Sequence, residues 1–444
     1  MTDHAPRVPP EQAERLRRRA VELAPLGSLL TDSVDVPAEW TAALAALADR
    51  LADSYPFADP RYLGQMLKPP HPVAWAGYAL AMLLNSNNHA FDGGPATARL
   101  EREAVDQLAA MLGHRTHLSH LTASGTIANL EALWVARSLH PNDVVVSAAN
   151  AHYTHARISE VVGARHETLP QTADGLFDLA ALTARLRRGG VGTVVATLGT
   201  TGLGRVDPID RIADLCGEHG ARLHVDAAYG GFFTLLADGG DPGVEAAPFG
   251  ALSRADSIVV DPHKHGLQPY GCGCVVFADP AIGHLYAHDS PYTYFTSDEL
   301  HPGEISLECS RSGATAAALW ATLQALPLTR AGLGRELAGG RSAAQALAEH
   351  IAALDGWRLV CPPDLDIVCW HPLATTASAV STRTDAVFAL LAERGWHVAK
   401  LQVPSASLPV NADQPTTTVL RSTLMKPAHA DVIDDFSALL AELA

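Results

Sequence analysis

Two short motifs in this 444-residue chain place a lysine and a carboxylate where both could act on one ligand. Lys264 lies in the sequence DPHKHG at residues 261–266, and Asp226 lies in HVDAAYGG at residues 224–231. A lysine amine can form a Schiff base with an aldehyde, and a carboxylate can keep a ring nitrogen protonated. A solvated surface lysine and an aspartate that caps a turn are the ordinary alternatives.

The position of both motifs after strand-like segments favours the ligand interpretation. Open parallel sheets bind ligands beyond the carboxyl ends of their strands, and both residues fall there. A lysine amine in an apolar cleft holds its proton less tightly and becomes a nucleophile. A buried carboxylate needs a cationic partner, which the protonated pyridine nitrogen of pyridoxal 5'-phosphate (PLP) would supply. The two motifs therefore predict PLP as the cofactor.

A loop of small residues, TASGTIAN at 122–129, opens a predicted helix. Its free backbone N–H groups and the helix dipole suit a phosphate group. A simple helix cap by Ser124 or Thr126 is the alternative. The loop is not a P-loop, because no Lys-Ser or Lys-Thr pair follows the glycine.

Histidine and threonine side chains follow two further strand-like runs. His152 lies in AHYTH at 151–155, where its imidazole could stack on a cofactor ring. His152 and His155 could instead be a metal pair or ordinary loop histidines, but no His-Glu-x-x-His pattern supports a metal. The loop LGTTGLG at 198–204 lacks the glycine order of a dinucleotide site. Thr200 and Thr201 in that loop are candidates to contact the cofactor or the substrate.

Two arginines have settings that suit a carboxylate ligand. Arg311 lies just before a predicted helix, and Arg421 ends the strand-like run 416–420. A guanidinium can bind a carboxylate through two parallel hydrogen bonds. An ion pair at the surface or within the fold is the alternative for each.

Composition restricts the class of protein. Hydrophobic residues make up 48% of the chain and charged residues 18%, which predicts a large packed core rather than disorder. A net charge of −16 argues against nucleic acid or an anionic membrane as a partner. We find no apolar run of about 18 residues and no secretory signal, and the six cysteines are scattered, so we expect a cytoplasmic protein. Cys272 and Cys274 suit a strand core better than a zinc site, and no metal is predicted.

The elements that must position these residues alternate along the chain. Helical and strand-like patterns alternate from about residue 102 to residue 277, which predicts an α/β fold with a mainly parallel sheet covered on both faces. After Gly356 the pattern changes to that of a smaller α+β unit. We expect three parts: an N-terminal helical segment (1–100), a large domain (101–340) and a small C-terminal domain (341–444).

From about Phe91 to Lys426 the chain resembles the group II PLP-dependent amino-acid decarboxylases of fold type I. That family includes glutamate, aromatic-amino-acid and archaeal tyrosine/aspartate decarboxylases. The most specific motifs are HVDAAY at 224–229 and DPHK at 261–264, supported by GPAT at 94–97 and by Ala151-His152 and Leu420-Arg421. The segments SPY at 290–292 and SRSGA at 310–314 are most similar to the archaeal type.

The resemblance implies a role for each candidate residue. Lys264 would form the Schiff base, Asp226 would pair with the pyridine nitrogen, and His152 would stack over the ring. The implied phosphate ligands are Gly125, Thr126 and His263, and Thr200 and Ala228 are further candidate cofactor contacts. Arg421 would bind the substrate α-carboxylate, with Arg311 as a second candidate for substrate binding.

The family also implies a catalytic loop and a dimer. Residues 289–301 correspond to a loop in which relatives carry a tyrosine that protonates the carbanion, and both Tyr292 and Tyr294 qualify. A homodimer with its active site at the subunit interface is implied. The phosphate loop reads ASGT where relatives often have SGGT, and His265 stands where Trp or Met is common.

The resulting hypothesis is α-decarboxylation of an L-amino acid, with release of CO2 and an amine. Decarboxylation coupled to oxidative deamination, which yields an aldehyde, and carbon–carbon lyase chemistry are alternatives with the same cofactor. A non-catalytic PLP-binding scaffold is an alternative of another class. The substrate stays open: Trp75, Tyr78, His89 and Phe91 are candidates either for a side-chain pocket or for core and interface packing.

Overall fold

The computed structural model of the chain describes residues 9–23, 36–237, 244–287 and 305–444. Its larger sheet has seven strands in the order β1-β7-β6-β5-β4-β2-β3. Strand β7 runs antiparallel to both of its neighbours, and the other pairs are parallel. The strands are β1 (Leu118–Thr122), β2 (Val144–Ala148), β3 (Arg165–Leu169), β4 (Val191–Thr197), β5 (Arg222–Asp226), β6 (Ser257–Val260) and β7 (Gly273–Phe277).

A second, antiparallel sheet of four strands has the order β10-β11-β9-β8. Its strands are β8 (Trp357–Leu359), β9 (Ile367–Pro372), β10 (Ala399–Pro404) and β11 (Thr416–Thr423). The two sheets confirm the predicted α/β class with a smaller C-terminal unit.

Fourteen α-helices are described around the two sheets. They are α1 (Pro10–Leu23), α2 (Ala38–Leu51), α3 (Pro72–Met82), α4 (Pro95–Met111), α5 (Gly125–Leu139), α6 (Thr154–Val162), α7 (Leu179–Leu186), α8 (Ile209–His219), α9 (Ala246–Gly250), α10 (Gly283–Tyr286), α11 (Gly313–Ala325), α12 (Gly334–Ala353), α13 (Ala377–Glu393) and α14 (Ile433–Glu442). Among the described residues no helix has the length and apolar character needed to cross a bilayer.

The central strands of the large sheet explain its layered form. Every residue of β4 is buried, and the strand reads VGTVVAT, as expected for a parallel strand with both faces covered. Helix α8 buries Ile209, Ile212 and Cys216, a spacing of three and four residues that places them on one face. Gly220 ends this helix at φ 68°, the left-handed conformation that favours glycine.

Several sequence expectations need correction. Strands β1, β3 and β10 were not predicted, nor was helix α6. Helix α4 begins at Pro95, a residue that suits the first turn of a helix. The three-part division of the chain stays a proposal, and its boundaries at 100/101 and 340/341 fall inside α4 and α12.

Candidate active site

The large sheet brings the two sequence motifs to one edge. Strands β5 and β6 are adjacent and parallel, with Asp226 beside Val259 in the register. Their carboxyl ends therefore meet at the same edge of the sheet. Asp226 is the last residue of β5, and Lys264 follows β6 by four residues.

A cleft of about 600 Å³ opens at this edge. Lys264 and Asp226 both line it, as do six other residues named from the sequence: Gly125, Thr126, His152, Thr201, Ala228 and His263. The remaining lining residues are Ser124, Asn129, Thr154, Thr197, Gly199, Tyr229 and Asp261. The cleft thus gathers parts of the chain that lie more than one hundred positions apart in the sequence.

The amine of Lys264 has a carboxylate beside it. Lys264 Nζ lies 3.1 Å from Asp261 Oδ2, and His263 Nε2 lies 3.5 Å from the same oxygen. The Asp261 carboxylate also packs against Gly125, where an added Cβ would lie 2.5–2.9 Å from its atoms. Only glycine therefore fits at position 125, at the start of α5.

Asp226 is buried and accepts hydrogen bonds on both oxygens. His155 Nε2 donates to Oδ2 over 2.9 Å, Asn129 Nδ2 donates to Oδ2 over 3.3 Å, and the Ala228 backbone N–H donates to Oδ1 over 3.1 Å. Burial by itself raises the pKa of this carboxyl, but the His155 hydrogen bond and the nearby positive charges outweigh burial and hold the pKa below its usual range. Asp226 is therefore a carboxylate at neutral pH.

The two predicted histidines of the cleft differ in their partners. His152 Nδ1 lies 2.6 Å from Thr154 Oγ1, which fixes the ring at the start of α6. His263 stacks on Tyr270 with ring centres 4.7 Å apart, and its buried Nδ1 has no partner among the described residues. Burial lowers the pKa of both imidazoles, so the neutral form is favoured.

The structure places the 198–204 loop and Arg421 next to each other. Thr201 lines the cleft, whereas Thr200 is buried and its Oγ1 accepts from the Arg205 backbone N–H over 3.0 Å. Arg421, on β11, donates to the backbone carbonyls of Gly64, Thr201 and Gly202 over 2.9–3.2 Å. Its guanidinium therefore lies behind the Thr201 backbone and outside the residues that line the cleft.

Arg311 does not line the cleft. Arg311 forms a buried ion pair with Glu101 and donates to the carbonyls of Asn88 and Leu121, which is the ion pair within the fold that the sequence left open. Tyr292 and Tyr294 lie outside the described residues.

Comparison with known proteins places this arrangement in a family. The model of the pyridoxal-dependent decarboxylase conserved domain matches residues 57–372, which is more than two thirds of the chain. The chain belongs to the PLP-dependent amino-acid decarboxylase family.

Individual relatives agree with that membership. A probable L-aspartate decarboxylase of Halobacterium salinarum is 33% identical over 342 residues, which are 77% of this chain and 88% of the relative. A probable L-tyrosine/L-aspartate decarboxylase of Methanothermobacter thermautotrophicus is 28% identical over 349 residues, with 78% and 90% covered. The crystal structure of Oryza sativa TDC with PLP and tryptamine superposes with a TM-score of 0.79 at 18% identity, covering 98% of this chain and 99% of that one.

The cleft has the groups that the decarboxylase family's cofactor requires. Helix α5 begins at Gly125 with Ser124 as its N-cap, and both residues line the cleft, so the free N–H groups of its first turn suit an anion there. Lys264 offers an amine for the PLP aldehyde, and Asp226 a buried carboxylate for the ring nitrogen. His263 is a further polar residue that lines the cleft.

Sequence reasoning missed part of this decarboxylase site. His155 and Asn129 hold Asp226, although His155 was considered only as a metal ligand or a loop residue. Asp366 was not considered at all, yet it accepts from the Tyr229 hydroxyl over 2.5 Å and lies 3.2 Å from His265 Nε2. The two sequence motifs contain Tyr229 and His265, but only the structure shows that Asp366 contacts both of them.

Proposed function

We propose that this chain is an L-amino-acid α-decarboxylase that uses PLP and releases CO2 and the corresponding amine. The observation that carries the proposal is that Lys264 and Asp226 line one cleft at the ends of β5 and β6. Bound PLP supplies an electron sink for the electrons left behind when CO2 departs.

The residues of the chain divide the remaining work. Lys264 supplies the amine that attaches the cofactor, and Asp261 Oδ2 lies 3.1 Å from that amine. Asp226 holds a proton on the ring nitrogen, because its own pKa lies below the usual range. Since Nδ1 of His152 is held by Thr154, Nε2 is the atom that can pass a proton into the cleft.

Three assignments rest on the family resemblance and stay proposals. Arg421 orients the substrate carboxylate, either through its two N–H groups that hold no backbone carbonyl or through the Thr201 backbone that it fixes. Tyr292 or Tyr294 returns the proton to the α-carbon. A closed site would exclude water at that stage, which protects the carbanion from unwanted protonation.

Lys264→Ala tests the proposal directly. We expect loss of the visible absorbance that PLP gives when attached to the protein and loss of CO2 release, because no other amine occupies that place in the cleft among the described residues. Lys400→Ala is the matched control, since Lys400 pairs with Asp385 on the exposed surface. An unchanged spectrum in Lys264→Ala would contradict the PLP assignment of Lys264.

A panel of L-amino acids tests the reaction and the substrate together. L-aspartate and L-tyrosine come first, because the similar archaeal proteins carry those names. We expect equal molar amounts of CO2 and the amine. An aldehyde with ammonia would instead favour oxidative deamination.

We also propose a homodimer. Helix α3 packs one side on α11, where Gly77 lies against Ala318 and Ala321. Its outer side and the turn after it leave large apolar side chains exposed: Trp75 (51%), Leu80 (69%), Met82 (51%) and Leu84 (73%). An apolar patch of this kind supports a contact with a second copy of the chain.

Sedimentation of Leu80→Glu tests the dimer. We expect wild-type protein at twice the chain mass and a shift toward the monomer in the variant, because a buried charge would oppose association. Leu390→Glu is the control, since Leu390 is an exposed leucine on α13. Monomeric wild-type protein would overturn the proposal.

A cytoplasmic location and a small-molecule partner complete the proposal. All six cysteines are free thiols, five of them buried, which supports a reducing compartment. The net charge of −16 supports a small-molecule partner over nucleic acid or an anionic membrane. Cell fractionation tests the location.

A further inference from the structure

A layer of buried polar side chains lies behind Asp226; its members His155 and His224 do not line the cleft, whereas Asn129 does. His155 is 1% exposed and does not line the cleft, yet its Nε2 donates to Asp226 Oδ2 over 2.9 Å. His155 lies in the first turn of α6, three residues after His152. It therefore acts on the cleft only through the carboxylate that it contacts.

The hydrogen bonds in this layer all run toward Asp226. Ser257 Oγ lies 2.9 Å from His224 Nδ1, His224 Nε2 donates to Asn129 Oδ1 over 2.8 Å, and Asn129 Nδ2 donates to Asp226 Oδ2. A carboxylate has only acceptors, so His155 must present a proton on Nε2. Two side-chain donors thus converge on one oxygen.

Both donors favour the ionised carboxylate in one orientation. A charged acceptor strengthens such hydrogen bonds, and a low-dielectric site strengthens them further. His155 Nδ1 is buried without a partner among the described residues, so the Asp226 contact is the one polar contact described for its ring. Among the described residues, the His155 ring therefore hydrogen-bonds to Asp226 alone.

We propose that His155 is a positioning residue for the decarboxylation: its hydrogen bond holds Asp226 ionised and oriented so that the carboxylate keeps the ring nitrogen of the cofactor protonated. This inference rests on the proposed PLP-dependent function. The proposed role differs from simple packing because it acts through one atom of the cofactor, the ring nitrogen. Removal of that nitrogen should remove the effect of His155.

The test pairs His155 variants with two cofactors. Apo-protein is titrated with PLP and with the PLP analogue in which CH replaces the ring nitrogen, and the dissociation constants are read from absorbance. His155→Phe keeps an aromatic ring but has no N–H to donate. His155→Asn keeps a polar group, but its shorter side chain draws the N–H away from Asp226. We expect both variants to bind PLP roughly 10- to 100-fold more weakly than wild type and the analogue within about threefold of wild type.

His155→Gln and His120→Gln complete the design. Glutamine at 155 can return an N–H to Asp226, so we expect most of the PLP affinity to return. His120 is the matched control, because it also forms a buried histidine–carboxylate pair, 2.8 Å from Glu131, but lies outside the cleft. We expect His120→Gln to leave both dissociation constants within about threefold of wild type.

The outcomes separate this inference from the function beneath it. Equal weakening of both cofactors by His155→Phe and His155→Asn would overturn the positioning role and indicate packing. If His155→Phe fails to fold, His155→Asn supplies the same comparison. Failure of the wild-type protein to bind PLP would instead contradict the proposed function itself.

Discussion

Two buried aspartates, Asp226 and Asp366, have similar partners, but only Asp226 has one side of its carboxylate on the cleft. Each carboxylate has a buried histidine beside it: His155 Nε2 donates to Asp226 over 2.9 Å, and His265 Nε2 lies 3.2 Å from Asp366. Burial by itself raises the pKa of both, and their partners outweigh it, so both pKa values lie below the usual range. Asp226 faces the cleft, whereas the Tyr229 hydroxyl covers Asp366.

The comparison indicates that Asp226 can act on a ligand because one side of its carboxylate is open to the cleft. The donors around Asp226 preserve its charge and leave one direction free for a ligand. The contacts of Asp366 link segments of the fold, because Tyr229 lies in the Asp226 motif, His265 lies in the Lys264 motif, and Asp366 immediately precedes β9. A lowered pKa alone does not distinguish the two roles.

Substitution by asparagine should separate the two aspartates most strongly. We expect Asp226→Asn to lower kcat/KM by about 10²–10³-fold, because a neutral amide cannot hold the ring nitrogen protonated. Asp366→Asn should change kcat/KM by less than about tenfold, since an amide oxygen still accepts from Tyr229. Steady-state CO2 release measures both. Equal losses would show that the open side of Asp226 is not decisive.

Removal of the Asp366 side chain should have the larger effect on stability. We expect Asp366→Ala to lower the free energy of unfolding by about 3–5 kcal/mol, because Tyr229 would lose its buried acceptor and His265 the carboxylate beside it. Asp364→Ala is the control: Asp364 is less buried and pairs with Arg205 at 2.6 Å, so a loss of about 1–2 kcal/mol is expected. Urea unfolding provides the measurement, and similar losses for both variants would contradict the linking role.

The layer behind Asp226 should make the protein sensitive to acid. Burial lowers the pKa of His224 from 6.5 to about 3. Between these values the unfolded chain binds a proton that the folded chain does not, so the folded state loses stability as pH falls below 6.5. The loss between pH 6.5 and pH 4 is on the order of 3 kcal/mol.

His224→Gln should flatten that pH dependence. Urea unfolding at several pH values measures it, with His219→Gln as a control because His219 lies exposed at the end of α8. An unchanged slope in His224→Gln would show that His224 does not carry the acid sensitivity.

The interior strands of the large sheet could be predicted from the sequence, whereas its two edge strands could not. Strands β2, β4 and β7 are continuous apolar runs with strong signals. All three strands that were missed lie at sheet edges: β1 and β3 in the large sheet and β10 in the small one. Edge strands such as β3, which reads RHETL, carry polar residues that resemble a loop.

The same contrast holds for the candidate site. That Lys264, Asp226 and the α5 loop share one cleft was predictable, because each lies in a short motif with its own chemistry. The partners His155 and Asp366 were not, because they contact those motifs across 71 and 101 or more positions of the chain. A histidine or an aspartate at that distance carries no local signal of its partner.

The junction made by Asp364 and Asp366 has a consequence for recombination between relatives. In the segment before β9, the Asp364 carboxylate contacts Arg205, and the Asp366 carboxylate contacts Tyr229 and His265. A chimaera that exchanged the small sheet alone would take these two carboxylates and their partners Arg205, Tyr229 and His265 from different parents. Exchangeable modules of this protein must therefore be cut so that each carboxylate travels with its donors.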